Sequence, residues 1–289
     1  MHPDEHPVPE SLVRTLLAGS FPEWAALKLS RVTSAGTDNA MFRLGEDLVV
    51  RLPKIGWAVK GIHHEYEWIP KLAPHLPFAT PEPLALGHPA AGYPWPWAVY
   101  RWLEGTNPIA NQVTHGVAED IAELITALRA IRIPNPPTST RGKPLATRDA
   151  MTREAIADLG GKVARKAVTE VWEKALAVPG WEGEPVWVHA DLTPGNVLVR
   201  DGKVSAVIDF SLSGVGDPAA DLGVAWNLLP APARETFREA LGDDDATWER
   251  GRALALSIAL VQLRYYWDSN PPLVANSRHV IGEILAGPA

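Results

Sequence analysis

The chain has 289 residues, 46% hydrophobic and 21% charged, which is an ordinary globular composition with room for two lobes and excludes a disordered or low-complexity class. It contains no cysteine, so disulfides, thiolate zinc sites and a cysteine nucleophile are excluded. A net charge of −7 argues against a surface for nucleic-acid phosphates, and neither a signal-peptide layout nor a run of membrane-spanning length is present, so a cytoplasmic location is expected.

Leu12, Val13, Leu16, Leu17, Phe21 and Trp24 recur at helical spacing and predict a helix over 11–26, open to interruption at Pro22. Short strand-like runs follow at 27–33, 40–44 and 48–52, with the turn Ser34-Ala35-Gly36-Thr37-Asp38-Asn39 between the first two. The spacing then predicts a helix over 61–73, kinked at Pro70 and ended before Pro74, and a strand over 97–102. From Val117 the texture changes, with Ile121, Leu124, Ile125, Leu128 and Ile131 marking an amphipathic helix. Residues 133–144, rich in Pro, Ser and Thr, predict a loop, and further helices are expected over 148–158, 163–178, 232–241, 246–267 and 275–286. Between them, 186–188 reads as a strand, and 197–199 with 204–208 as a hairpin turning at Asp201-Gly202. The lobe boundary belongs near Glu104 to Pro108, which divides the chain into 1–104 and 105–289.

His189-Ala190-Asp191-Leu192-Thr193-Pro194-Gly195-Asn196 forms the turn before that hairpin, and Asp209 follows Asn196 by thirteen residues, in Ile208-Asp209-Phe210. The hairpin would return Asp209 to the side of Asn196. One carboxylate can then accept a proton from an attacking hydroxyl, while an amide and a second carboxylate hold a divalent cation against nucleotide phosphates, the division of labour in kinase-type phosphoryl transfer.

These motifs resemble those of the aminoglycoside phosphotransferase family, whose members share a fold with protein kinases. The resemblance implies an α+β, protein-kinase-like two-lobe fold: a small N-terminal antiparallel sheet lobe with a helix, and a larger, mostly helical C-terminal lobe. It implies Asp191 as the catalytic carboxylate, Asn196 and Asp209 as ligands of Mg²⁺, and ATP (or GTP) as phosphate donor. Gly36 and Thr37 fall where the nucleotide loop of relatives lies, although neither G-x-G-x-x-G nor a Walker A pattern is present. Arg51 stands where many relatives carry a phosphate-binding Lys, with Lys54 as a possible substitute and Glu65 as the partner that orients the cation. Loss of Glu65 is expected to matter less than loss of Arg51. Trp102 and Leu103, in Tyr100-Arg101-Trp102-Leu103-Glu104-Gly105, are expected to read the purine through main-chain N–H and C=O groups, with Tyr100 deeper in the pocket.

Gly214-Val215-Gly216-Asp217-Pro218-Ala219-Ala220-Asp221-Leu222 continues the resemblance, with Asp217 expected to cap a helix opening at Pro218 and both acids to support the catalytic loop. The implied acceptor is a hydroxyl of a small molecule, foremost an antibiotic such as an aminoglycoside, with a macrolide, a choline- or homoserine-type metabolite, or a nucleotide-binding pseudokinase as alternatives. Asp243, Asp244, Asp245, Glu249 and Asp268 are acids that could meet ammonium groups, and Tyr265-Tyr266-Trp267 could face an apolar acceptor. No nucleic acid, membrane or obligate protein partner is expected.

Overall fold

The structure is a computed structural model that describes residues 4–33 and 36–287. Helix α1 spans Glu10–Ser20 and buries Val13, Leu16 and Leu17. Pro22 opens a separate 3₁₀ turn, Pro22–Trp24, which confirms the interruption expected there. Five strands then form one antiparallel sheet: β1 Leu29–Arg31, β2 Asn39–Leu44, β3 Leu48–Pro53, β4 Pro83–Gly87 and β5 Trp97–Arg101, in the order β1-β2-β3-β5-β4. Strand β4 was not expected, because Pro81 and Pro83 mask its short apolar run. At the sheet edge a proline costs no ladder bond, and the register breaks between Pro83 and Ala85.

Between β3 and β4 lies α2, Val59–Leu72, which continues two residues past Pro70 before a 3₁₀ turn, Ala73–His75. One core, with Phe42, Val50, Leu52 and Trp97, fills the space between the sheet and α1. Trp68, Ile69 and Leu72 at the end of α2 pack instead into a larger helical core. The helix therefore spans the two halves and transmits position between them.

That larger core is built by α3 His115–Ala130, α4 Asp149–Leu159, α5 Arg165–Leu176, β6 Val186–Val188, β7 Val197–Arg200, β8 Lys203–Val207, β9 Gly214–Gly216, α6 Val224–Asn227, α7 Ala231–Leu241, α8 Asp245–Tyr266 and α9 Pro271–Leu285. Helix α8 is buried on most sides, as its run of Ala253, Leu254, Ala255, Leu256, Ala259, Leu260 and Leu263 requires. Trp187 and Trp226 are each 1% exposed, and truncating either would cost roughly 3–5 kcal/mol. Strand β9, three residues with two glycines, carries no strand signal of its own and exists through its antiparallel pairing with β6. Among the described residues no helix is long and apolar enough to cross a membrane.

Candidate active site

Strand β6 delivers His189, Ala190 and Asp191 into a turn where Ala190 adopts φ 68°, a left-handed conformation that costs a non-glycine residue about 1–3 kcal/mol. The surroundings hold it there. The carboxylate of Asp221 accepts the N–H of His189 at 2.9 Å and of Ala190 at 2.6 Å, while Arg141 donates to the Ala190 carbonyl at 2.9 Å. His189 braces the same turn from within: Nδ1 accepts the Asp191 N–H at 3.2 Å, Nε2 lies 3.2 Å from the Ile208 carbonyl, and its ring packs on Phe210. Asp217 accepts the Ala219 N–H at 2.9 Å, capping the 3₁₀ turn at Pro218, and is paired to Arg250.

Asn196 Nδ2 donates to the Asp191 carbonyl at 2.9 Å and to Asp191 Oδ2 at 3.2 Å. The Ile208 N–H reaches the Asn196 carbonyl at 2.9 Å, which joins the turn to the segment carrying Asp209. Two residues absent from the sequence expectations hold this arrangement. Asn107, in the connection after β5, aims its amide at the carbonyls of Pro194, Gly195 and Val197, at 3.0 to 3.1 Å. Arg141, in the stretch expected to be a plain loop, pairs with Asp191 Oδ1. That loop is seated by close backbone contact, since a Cβ on Gly142 would lie 2.9 Å from the Gly216 Cα.

Asp209 also has a left-handed backbone, φ 62°. Arg51 Nη2 lies 3.2 Å from Asp209 Oδ1, and Arg51 Nη1 lies 2.5 Å from Glu65 Oε2. Glu65 is fully buried and also accepts the Tyr100 hydroxyl and the Phe210 N–H, both at 2.9 Å. It therefore fixes both the cation and the Asp-Phe backbone, far more than the orienting role expected from sequence. Burial works to raise the Asp209 carboxyl, yet the Arg51 guanidinium, the Ser211 side chain and His189 together hold the group below its ordinary range. Burial likewise disfavours a charged Arg51, but Glu65 and Asp209 more than compensate and keep it protonated.

One face of α2 docks on this segment. A Cβ on Gly61 would lie 2.8 Å from the Ser211 Cβ, and His64 Nε2 lies 3.0 Å from Ser213 Oγ. Burial lowers the His64 pKa below its ordinary 6.5. The unfolded chain then takes up the proton first, so stability present above that value is lost as pH falls through and below it. Melting temperature is expected to drop between about pH 7 and pH 5, and His64→Gln to flatten part of that drop; an unchanged pH slope in the variant would exclude His64 as its source.

Mg²⁺ takes hard oxygen ligands and commonly uses only one or two from the protein, the rest coming from phosphates and water. Among the described residues no group of three or more His, Asp or Glu side chains gathers as a metal cage. The Asn196 amide oxygen, which makes no hydrogen bond within the described residues, and the Asp209 carboxylate fit the sparser arrangement.

On the nucleotide side, Gly36 is exposed and the Thr37 hydroxyl donates to Asp38 at 2.5 Å, while Ser34 and Ala35 lie outside the described residues. Lys54 pairs with Glu5 at 3.2 Å, while the cation paired with Glu65 and Asp209 is Arg51. The Trp102 N–H donates to the Asp47 carbonyl at 2.7 Å, so of the two main-chain groups expected to meet a base at this residue the C=O is the one left. The Trp102 ring carries the Arg43 guanidinium at 4.3 Å. The Leu103 N–H makes no backbone hydrogen bond among the described residues and is the main-chain donor left at this point.

Beside Asp191 opens a shallow cleft walled by Arg141, Thr193, Asn227, Gln262 and Asn276 and floored by apolar groups of α8 and α9 such as Ile258 and Val280. None of the acids expected to meet ammonium groups lines it. Asp243 pairs with Arg129, Asp244 caps α8 through the Thr247 N–H, Asp245 pairs with Arg238 and Glu249 with Arg252. Asp268 lies in the exposed turn after α8. The aromatic patch does not line it either: Tyr265 and Tyr266 pack edge to face at 4.7 Å, and Trp267 is held between Lys162 and Arg278.

A family model, the phosphotransferase enzyme family, matches residues 30–254. Among solved structures, the GDP and kanamycin complex of an aminoglycoside phosphotransferase is 17% identical, with a TM-score of 0.77 over 95% of this chain and 98% of that one. A macrolide 2'-phosphotransferase from Brachybacterium faecium is 22% identical, with a TM-score of 0.64 over 97% and 100%. These likenesses show the kinase-like fold. Among curated proteins, an aminoglycoside 3'-phosphotransferase of Escherichia coli is 37% identical over 60 residues, 21% of this chain and 22% of that protein. An uncharacterized protein of Bacillus subtilis (strain 168) is 26% identical over 162 residues, 53% and 50% of the two chains, so the matches span half or less of these curated relatives.

Proposed function

The chain belongs to the phosphotransferase enzyme family, and on that premise we propose that it moves the terminal phosphoryl group of ATP or GTP to a hydroxyl of a small molecule. The observation that carries the reading is the convergence of Asp191, Asn196, Asp209 and Arg51 through the hydrogen bonds of one turn and one buried ion pair. In the reaction, the acceptor oxygen forms a bond to the terminal phosphorus as the bond to the nucleoside diphosphate oxygen breaks. The hydroxyl proton passes to the Asp191 carboxylate, which Arg141 and Asn196 hold at its two oxygens. Asn196 and Asp209 would hold Mg²⁺, which when bound neutralises charge on the phosphate oxygens. Arg51 adds a fixed cation beside Asp209.

The presence of all three acidic and amide groups favours turnover over a nucleotide-binding pseudokinase. Nucleoside triphosphates are intracellular compounds, which supports a cytoplasmic place of action. Asp209→Ala is expected to weaken Mg²⁺-dependent nucleotide binding and slow turnover together, by about ten- to a hundredfold for a lost charged contact. Titration of nucleotide with and without Mg²⁺ tests this. Identical Mg²⁺ dependence in variant and parent would remove Asp209 from the metal, and absence of any nucleotide turnover in the parent would overturn the reading.

A further inference from the structure

The cleft beside Asp191 has a charge pattern that the reaction does not require. Its two carboxylates are already satisfied: Asp191 is paired with Arg141, and Asp221, 1% exposed, is consumed by two backbone N–H groups. Arg141 is itself part of the wall, close to where an acceptor hydroxyl must approach Asp191. The remaining polar wall is amide and hydroxyl. Asn276 Nδ2 donates to Asn227 Oδ1 at 2.8 Å, and Gln262 and Thr193 stand on the same cleft. Amides offer hydrogen bonds to hydroxyls, carbonyls and carboxylates but no charge to balance an ammonium group.

An ammonium beside the reacting hydroxyl would lose water, meet no uncompensated carboxylate and face the Arg141 guanidinium, three penalties of one sign. An uncharged or anionic neighbour meets none of them. We propose that this cleft takes a hydroxyl acceptor with no cationic group next to the reacting carbon, and that Arg141 is the residue that sets this selection while positioning Asp191. The inference rests on the phosphoryl-transfer reading and deepens it.

A matched acceptor set tests it: kanamycin, its fully N-acetylated form, a neutral glycoside and a sugar acid, each with Mg-ATP and Mg-GTP, following phosphorylated product and hydrolysis to water separately. A non-cationic member is expected to exceed kanamycin in kcat/KM by at least about tenfold. Arg141→Gln should narrow that ratio and lower kcat, whereas Arg141→Lys should retain most of the ratio. Gln262→Glu, which adds a carboxylate without touching Asp191, should raise kcat/KM for kanamycin alone. Preference for kanamycin over its acetylated form, or a ratio unmoved in both Arg141→Gln and Gln262→Glu, would overturn the proposal. No transfer to any member while the nucleotide is hydrolysed would overturn the acceptor class and leave phosphoryl transfer standing. Loss of both in the parent would overturn phosphoryl transfer itself.

Discussion

Asp191→Asn is expected to lower phosphoryl transfer by about 10²- to 10⁴-fold, the usual worth of a positioned general base, while nucleotide affinity stays within about twofold. The two quantities separate because Asp191 touches neither Arg51 nor Asp209 and meets Asn196 only at Nδ2, which leaves the amide oxygen for Mg²⁺. An asparagine keeps the shape and can still accept at one end, from Arg141 or from Asn196, while the main-chain carbonyl at 191 goes on accepting the Asn196 amide. It cannot take a proton. The reading makes no demand on an identified acceptor, since hydrolysis of the nucleotide to water passes through the same carboxylate. Calorimetry of nucleotide binding and a hydrolysis assay on one preparation would decide it: equal rates in variant and parent would remove Asp191 from catalysis, and a parallel loss of binding would assign it to the nucleotide instead.

Much of this was legible in the chain because chemistry there depends on local spacing. A strand, a turn and a hairpin bring Asp191, Asn196 and Asp209 near one another through short-range geometry, and helical periodicity located α3, α4, α5, α7, α8 and α9 within a few residues. Long-range contacts were not legible. Nothing in the sequence says that Asn107 reaches three carbonyls 87 to 90 residues away, or that Arg141 meets a carboxylate fifty residues on. Strands β4 and β9 have no pattern of their own, because an edge and a pairing partner define them. The acids of 243–249 looked like ligands by composition. Their cations at 129, 238 and 252 come together with them only through the packing and turning of the helices.

Glu65 shows the same limit in its energetic form, and Glu65→Gln is expected to be the more damaging half of its pair with Arg51. Oε1 accepts the Phe210 N–H, while Oε2 accepts both Arg51 and the Tyr100 hydroxyl. A glutamine has one acceptor end. If its oxygen takes the Phe210 position, its NH₂ faces Arg51 donor to donor; if it is flipped, the NH₂ faces the Phe210 N–H and loosens the segment that aims Asp209. Either way a buried cation loses a carboxylate, a loss of about 3–5 kcal/mol when one partner of a buried pair is removed. Arg51→Met leaves Glu65 charged and buried but keeps its bonds to Phe210 and Tyr100, and a carboxylate that burial already penalises can take up a proton to relieve the cost. Arg51→Lys should restore part of the nucleotide affinity lost in Arg51→Met. In the double variant the stranded charges vanish together, so its loss of unfolding free energy should fall short of the sum of the single losses by about 1 kcal/mol or more. Urea unfolding of all three variants reads this coupling directly. Strict additivity would mean that Arg51 and Glu65 act independently, and the buried pair that ties β3 to α2 would then carry no coupling energy.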